Sequence, residues 1–201
     1  MSGGDASGGG LRTDGGSFEG ARAVPGVTLY VAVSLDGFIA RKDGSMDWLA
    51  TDVDYGFHAF MDTVDAVIMG RKTFEFILGH GSWPYGEVPG TVLTRGDVKN
   101  PFSQVTVSAA PPSEVVATLR GQGCDRIWLV GGGVALQTFL DEGLVDRLAL
   151  YTVPVLLGSG IPLFPGGSTE HWWDLAGMRS FTTGVTEAVY DVRRAQAPGS
   201  T

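Results

Sequence analysis

Two cations and a hydroxyl group follow a buried strand pattern in the segment VIMGRKTFE, residues 67–75. The strand pattern passes through Gly70 into Arg71, Lys72 and Thr73, which open a helical pattern. A helix N-terminus offers free backbone N–H groups and the positive end of the helix dipole, so this arrangement favours a bound phosphate. Cations in a first turn oppose the dipole, and an anion between them would explain their placement. The alternative is a tight turn at Gly70 followed by solvated surface charges.

A glycine triplet follows a second buried strand pattern in LVGGGVALQTFL, residues 129–140. The residues at this junction are Val130, Gly131, Gly132, Gly133 and Val134. Glycines let the backbone approach a pyrophosphate or a flat ring closely, so we expect a second binding edge here. The Rossmann fingerprint GxGxxG is not met, because its last position falls on Leu136. Taken alone, the triplet fits a flexible strand-to-helix turn equally well.

A long and partly apolar loop, residues 34–49, follows the first strand pattern and contains two Asp-Gly turns. Loops of this length often cover a ligand, which makes Asp36 a candidate for assisting the protonation of a substrate. A hairpin excursion in which Asp36 serves only its turn is the alternative.

Two further candidates, Asp54 and Tyr55, lie near the start of a helical pattern at about residues 52–63. Thr51 or Asp52 can cap that helix. Asp54 is then a candidate buried carboxylate that orients or protonates a substrate, and the alternative is a surface acid that complements the helix dipole.

Aromatic residues in predicted loops could form the wall of a site for a flat heterocycle. Trp48, Tyr55 and Trp83 are the candidate substrate contacts, with Tyr85 beside Trp83. The alternative is that these rings pack their loops onto the core.

The histidines His58, His80 and His171 have no identifiable acid partner in the sequence, and we interpret them as structural or solvent-facing. Together with the single cysteine, Cys124, they provide no metal-ligand spacing such as CxxC or HExxH. No metal site is predicted.

The composition is that of one globular domain: 201 residues, 43% of them hydrophobic and 18% charged. A net charge of -8 disfavours nucleic acid or an anionic membrane as the main partner. There is neither a long apolar run nor a signal-peptide pattern, so we expect a cytoplasmic location. Gly- and Ser-rich residues 1–25 and residues 195–201 are predicted to be flexible tails around one domain, residues 26–194.

Short β-branched runs alternate with helical patterns, which predicts an α/β fold with a mostly parallel central sheet and helices on both faces. The predicted strands lie at residues 28–34, 65–70, 91–94, 104–107 and 126–131, and the predicted helices at about 52–63, 71–78, 112–121 and 133–141. After about residue 145, RLALYTVPV, SFTTG and TEAVYDVRR read as strands, so the C-terminal strand pair is predicted to be antiparallel.

A strand, the run Gly70 to Thr73, a helix and then the glycine triplet together resemble the dihydrofolate reductase family, as does TVLTR at residues 91–95. The segments SLDGFIA and LVDRLALYTVPVLLGSGIPLF are more similar to the stand-alone form of the riboflavin-biosynthesis reductase domain. The resemblance covers about residues 27–193. It implies a dihydrofolate-reductase-like three-layer fold with NADPH as the cofactor.

Carried over to this sequence, the resemblance implies that Arg71, Lys72 and Thr73 hold the phosphates of NADPH. Thr94 and Arg95 would flank the adenosine end of the cofactor. Either Arg71 or Arg95 would then favour the 2′-phosphate.

At the other end of the cofactor, the resemblance implies that Gly131, Gly132 and Gly133 pass beneath the pyrophosphate and the nicotinamide. Val33 and Ile39 would contact the nicotinamide side.

The function that this resemblance implies is an NADPH-dependent reductase that transfers a hydride to a C=N or C=O bond of a small heterocycle, pyrimidine- or pterin-like. The alternatives are a non-catalytic nucleotide-binding module on the same fold and an authentic dihydrofolate reductase. The exposed C-terminal strand pair could join two copies into a homodimer.

Overall fold

The computed structural model describes residues 20–50, 53–167 and 170–194 of the chain. The strands are β1 (Gly26–Ser34), β2 (Phe38–Ala40), β3 (Ala66–Gly70), β4 (Gly90–Leu93), β5 (Val105–Ser108), β6 (Arg126–Gly131), β7 (Arg147–Val153), β8 (Ile161–Pro162), β9 (Trp173–Ser180) and β10 (Thr186–Val192). The helices are α1 (Phe57–Met61), α2 (Arg71–Gly79), α3 (Pro112–Gly121) and α4 (Gly133–Asp141).

Eight strands form one sheet in the order β5-β4-β3-β6-β1-β7-β10-β9. The ladders from β5 to β7 are all parallel, and β10 pairs antiparallel with both β7 and β9. The mostly parallel sheet and the antiparallel C-terminal strand pair are therefore confirmed. A separate small sheet pairs β2 with β8, which connects the loop after β1 to the chain that follows β7.

Each face of the sheet is covered by helices and has its own core. One core is rich in aromatic side chains and includes Phe60 of α1 and Phe74 of α2. The other is mostly aliphatic and includes Leu119 of α3 and Phe139 of α4. The strands between them are buried on both faces, as in the unbroken apolar run of β3, and this confirms the three-layer arrangement.

The helix predicted at about residues 52–63 is much shorter in the structure. It spans Phe57–Met61 and begins after Gly56, whose φ of 97° is a left-handed conformation that favours glycine. The apolar spacing of residues 57–61 is helical, but the left-handed Gly56 prevents the helix from extending towards residue 53. Thr51 and Asp52, the predicted caps, lie outside the described residues.

The prediction of a strand at SFTTG is wrong. Ser180 ends β9, and residues 181–185 form the turn of a hairpin in which Phe181 N donates to Val185 O at 2.8 Å. Gly184, at a φ of 85°, closes this turn. Strand β9 itself was not predicted.

The structure also changes the boundary of the predicted N-terminal tail. Ala21 and Ala23 are buried, at 5% and 6% exposure, in the aromatic core. The Ala23 N–H donates to Thr63 Oγ1 at 2.9 Å. The packed part of the chain thus includes residues 20–25, whereas residues 1–19 and 195–201 lie outside the described residues.

Candidate functional site

The two strand-to-helix junctions singled out in the sequence, at residues 70–73 and 130–134, meet at the carboxyl edge of the sheet. Strands β3 and β6 are neighbours, with Met69 opposite Gly131. A Cβ atom on Gly132 would lie 3.2 Å from Thr73 Oγ1 and 3.8 Å from Gly70 Cα. The phosphate candidate at the start of α2 and the glycine triplet at the start of α4 therefore form one continuous edge, where parallel sheets commonly bind ligands.

The cationic half of this edge faces the end of β4. The Arg71 Nε–H donates to Glu75 Oε1 at 2.6 Å, and the guanidinium lies 3.0 Å from where a Cβ atom on Gly96 would be. Gly96 in turn donates its N–H to Thr94 Oγ1 at 3.0 Å. Arg71 and Thr94, predicted to hold the phosphates and flank the adenosine end, are thus brought together.

The remaining cations and the hydroxyl lie on the same edge. Lys72 and Arg95 are exposed, and Thr73 is half-buried beside Gly132. Because α2 begins with two cations and no acidic residue, its N-terminus is an electropositive surface.

The glycine triplet adopts backbone conformations that side chains rarely take. Gly131 and Gly132 have φ values of 124° and 93°. A Cβ atom on Gly133 would lie 3.3 Å from Pro162 O of β8. Val130 is half-buried and Val134 is 82% exposed, so this edge presents bare backbone beside one apolar side chain to solvent.

The loop after β1 reaches the glycine triplet through β8. The Leu163 N–H donates to Gly37 O at 2.9 Å, next to the β2–β8 pairing. Val33 is buried in the aliphatic core, and Ile39 is half-buried against it. Both belong to the core on the face that α4 covers, and their contact with the nicotinamide stays a prediction.

Asp36 anchors this loop. Its carboxylate accepts hydrogen bonds from Ser34 Oγ at 2.6 Å, from Leu157 N at 3.1 Å and from Gly158 N at 2.7 Å. The Ser34 bond and the two backbone N–H groups hold the pKa of this carboxyl below its usual range. Asp36 therefore links two loops as a carboxylate, which goes beyond the local turn of the alternative interpretation.

Asp54 is exposed rather than buried, with 44% of its side chain accessible. It accepts hydrogen bonds from Gly56 N at 2.9 Å and Phe57 N at 2.6 Å, and Oδ2 lies 3.0 Å from Nδ1 of His58. The His58 contact, followed by the two N–H groups, lowers the pKa of Asp54. The expectation of a buried carboxylate is wrong, and the capping interpretation is closer to the structure; a catalytic role stays a prediction.

The histidines are solvent-facing or half-buried, but one has the acid partner that we did not identify. His58 is 84% exposed and pairs with Asp54 four residues earlier. His80 is exposed and its Nδ1 lies 2.9 Å from Phe76 O, whereas His171 is half-buried.

The aromatic candidates divide into two groups. Trp83 packs in the aromatic core, donates its indole N–H to Val88 O at 3.0 Å and contacts the Tyr85 ring edge-on at 4.9 Å. For Trp83 the structure favours the core-packing alternative. Trp48 is half-buried, and its buried Nε1 has no hydrogen-bond partner among the described residues. Tyr55, on the turn before α1, is half-buried and packs against the aromatic core, so the structure favours the core-packing alternative for its ring as well.

A buried polar group near the carboxyl end of β7 was missed in the sequence. Glu187 of β10 is fully buried and accepts a hydrogen bond from Tyr151 Oη at 2.7 Å. Arg179 of β9 donates to the same carboxylate. Tyr30 lies 4.7 Å from Tyr151 between ring centroids, and burial raises its pKa to about 12.

The described ranges 20–50, 53–167 and 170–194 contain no group of three or more His, Cys, Asp or Glu side chains suited to hold a metal ion. None of their helices has the length and apolar character needed to cross a membrane.

Comparisons with known proteins agree with the geometry. The family model of the RibD C-terminal domain matches residues 25–186. The chain is 36% identical over 161 residues to the uncharacterized protein YwjB of Bacillus subtilis, covering 78% of this chain and 92% of YwjB. It is 30% identical over 155 residues to the riboflavin biosynthesis protein RibD of Corynebacterium ammoniagenes, covering 68% of this chain and 45% of RibD.

A solved structure of a Shewanella sp. PV-4 protein ascribed to riboflavin biosynthesis superposes with a TM-score of 0.77. The two chains are 31% identical, and the match covers 84% of this chain and 99% of the other. The fold is dihydrofolate-reductase-like, as the sequence resemblance implied. Since the family model and the superposition both span most of the chain, this protein belongs to the RibD C-terminal domain family.

Proposed function

We propose that this protein is an NADPH-dependent reductase that transfers a hydride to a C=N or C=O bond of a small pyrimidine- or pterin-like heterocycle. Family membership supports a reductase related to those of riboflavin biosynthesis. The observation that carries the proposal is the contact edge between Thr73 and Gly132, where a cationic helix start meets bare glycine backbone. A dinucleotide-binding site needs groups that hold the phosphates and a protein backbone that can approach the dinucleotide closely.

The residues at this edge fit the cofactor. Arg71, whose Nε–H donates to Glu75, would pair with the 2′-phosphate, and Thr73 with the N-terminus of α2 would hold the pyrophosphate. The positive φ values of Gly131 and Gly132 favour glycine, and a Cβ atom on Gly132 would lie 3.2 Å from Thr73 Oγ1, so a side chain there would intrude on this edge. When bound, NADPH supplies the hydride, and the protein's part is to orient the substrate and exclude water.

On the substrate side, the lowered pKa values make Asp54 and Asp36 hydrogen-bond acceptors rather than proton donors. Asp54 would orient an N–H group of the heterocycle, and the proton would arrive through an ordered water. A heterocycle with ring N–H groups matches such acceptors, and Trp48 stays a predicted substrate contact.

Cofactor binding is the first test. The dissociation constants of NADPH and NADH are measured by calorimetry for the wild-type protein, for Arg71→Ala and for the exposed control Arg120→Ala. One charge-assisted phosphate contact contributes about 1.5–3 kcal/mol, so Arg71→Ala should weaken NADPH by about 10- to 150-fold and NADH much less. Equal losses for both cofactors, or equal effects of the two substitutions, would contradict the assignment.

Turnover is the second test. NADPH oxidation is followed with dihydrofolate and then with a panel of reducible pyrimidines and pterins. Oxidation with a pyrimidine supports the proposal, whereas oxidation with dihydrofolate alone would identify a dihydrofolate reductase. Tight NADPH binding with no turnover across the panel would identify a non-catalytic nucleotide-binding module.

The cytoplasmic location and the homodimer stay predictions. In the described chain β9 is an edge strand of the sheet, and Leu175 on it is 38% exposed. Light scattering of the purified protein tests the dimer, and a monomer at all concentrations would exclude it.

A further inference from the structure

The fully buried Glu187 is engaged by three partners. Tyr151 Oη donates to Oε1 at 2.7 Å, the Ala21 N–H donates to the same oxygen, and the Arg179 Nε–H donates to Oε2. A buried carboxylate is costly unless it is paired and hydrogen-bonded. With both oxygens occupied, this group fixes the position of whatever is bound to it.

Arg179 extends from this carboxylate to the turn that carries Asp54 and Tyr55. Its NH2 group donates to Tyr55 O at 3.3 Å. The same NH2 lies 2.8 Å from where a Cβ atom on Gly56 would be, and Gly20 covers the guanidinium from another side. The guanidinium also lies over the Phe181 ring, 4.8 Å from its centroid.

The hairpin between β9 and β10 contacts the same turn. The Tyr55 ring meets Phe181 edge-on with centroids 5.0 Å apart, and Tyr55 Oη donates to Thr183 Oγ1 at 3.2 Å. The turn at residues 54–57 is therefore held by the C-terminal hairpin through both its backbone and its side chains. Glu187 lies on β10, which pairs with β7 inside the sheet, so these contacts connect the turn to the sheet interior.

We propose that Glu187 and Arg179 are positioning residues that fix the 54–57 turn, and with it Asp54 and Tyr55, in the orientation that binds the substrate. The inference rests on the proposed function, because it assigns Asp54 and Tyr55 to the substrate. Glu187 fixes the guanidinium, and the guanidinium fixes the Tyr55 carbonyl and the path of the chain at Gly56. The hydrogen bonds of both residues go to Ala21, Tyr55 and Tyr151 and not to the nucleotide edge at Gly132, so we expect a larger effect on substrate than on NADPH.

The test compares Arg179→Lys with the matched control Arg147→Lys. Lysine keeps the charge beside Glu187 but cannot bond the carboxylate and the Tyr55 carbonyl with one planar fork. Arg147 of β7 forms a two-bond pair with Asp191 near the other end of β10, at 2.7 and 3.0 Å. Both substitutions therefore weaken a pair between an arginine and a carboxylate of β10, but only the Arg179 pair adjoins the 54–57 turn.

Two readouts follow the turn and the substrate separately. Hydrogen exchange of the Gly56 and Phe57 amides, both bonded to Asp54, should be about tenfold faster in Arg179→Lys, as expected for the loss of one hydrogen bond. The kcat/KM for substrate should fall on the order of 10- to 100-fold, because a small displacement of a positioning group has that effect. NADPH affinity should stay within about twofold, and Arg147→Lys should leave all three quantities unchanged.

Arg179→Met alone leaves the Glu187 carboxylate without its cation and destabilises the folded state. The paired variant Glu187→Gln/Arg179→Met removes both charges together, and it should reproduce the loss of amide protection. If the Gly56 and Phe57 amides are as protected from exchange as in the wild type, both in Arg179→Lys and in the paired variant, the inference is overturned. An equal loss of NADPH and substrate affinity would also overturn it. A wild-type protein without turnover would refute the proposed function, while amide exchange would still decide whether Arg179 holds the turn.

Discussion

Replacing Gly132 with alanine tests whether the glycine triplet is the nucleotide edge. Gly132 has φ 93° and ψ 111°, and a new Cβ atom would lie 3.2 Å from Thr73 Oγ1. The strained backbone costs about 1–3 kcal/mol of folding stability, and each kcal/mol lowers Tm by about 2–4 °C. To relieve the contact, Thr73 or the triplet must move, which should weaken NADPH by about 10- to 150-fold, the equivalent of one lost phosphate hydrogen bond.

Gly143→Ala is the matched control. Gly143 lies just after α4, with φ 63° and no atom within 4 Å of a new Cβ. It should therefore lose stability from backbone strain while its NADPH affinity stays unchanged. Calorimetric titration and thermal denaturation measure both quantities. NADPH affinity within twofold of wild type in Gly132→Ala, or an equal loss in Gly143→Ala, would refute the placement of the cofactor at the triplet.

Three other substitutions test separate parts of the structure. Asp54→Asn should lower kcat more than NADPH affinity, since Asn keeps the turn but loses the carboxylate; steady-state kinetics and titration measure this. Asp36→Asn should speed hydrogen exchange at Leu157 and Gly158, the two amides that Asp36 binds. Asp65→Asn, which breaks a pair with the exposed Arg126 at 2.6 Å, should cost about 1 kcal/mol in urea unfolding at neutral pH.

The Asp65 prediction carries a pH dependence with a definite sign. The hydrogen bond to Arg126, before other causes, lowers the pKa of folded Asp65 below its unfolded value. Its stabilisation is thus complete above about pH 4 and is lost as the pH falls through the folded pKa. The stability difference between wild type and Asp65→Asn should shrink on acidification; a constant difference would contradict the ion-pair assignment.

Unchanged kcat in Asp54→Asn would contradict the role of Asp54 in turnover. Unchanged amide exchange in Asp36→Asn would contradict the role of Asp36 in holding the loop at residues 157–158.

Much of the parallel half of the fold was predictable from the sequence. The apolar runs of β3 and β6 are unbroken, and each ends in glycine before a helix, so they predicted the ends of both strands to within a residue or two. Because parallel strands end at one edge, the meeting of Gly70 and Gly132 followed from the same pattern.

The C-terminal hairpin was harder to predict, because its pattern is irregular. Strand β9 does not alternate cleanly, since Gly177 occupies a buried position and a register shift falls between Val189 and Tyr190.

Two side-chain pairs that the sequence analysis missed had a signal in the sequence. His58 follows Asp54 at the i,i+4 spacing at which helical side chains meet. Glu187 shares a strand face with the buried Val189, where an acid without a partner is rare, so a partner for Glu187 was to be expected.

The position of β1 in the sheet has a consequence for how the chain folds. Both neighbours of this strand come from the distant part of the chain: Gly26 pairs with Arg126 and Thr28 with Arg147. The ladder at the centre of the molecule therefore closes very large loops, and such topologies fold slowly. During synthesis the apolar first strand stays unpaired until β6 has left the ribosome at residue 131, and it lacks its second neighbour until residue 153 has emerged, which exposes the nascent chain to aggregation or chaperone capture.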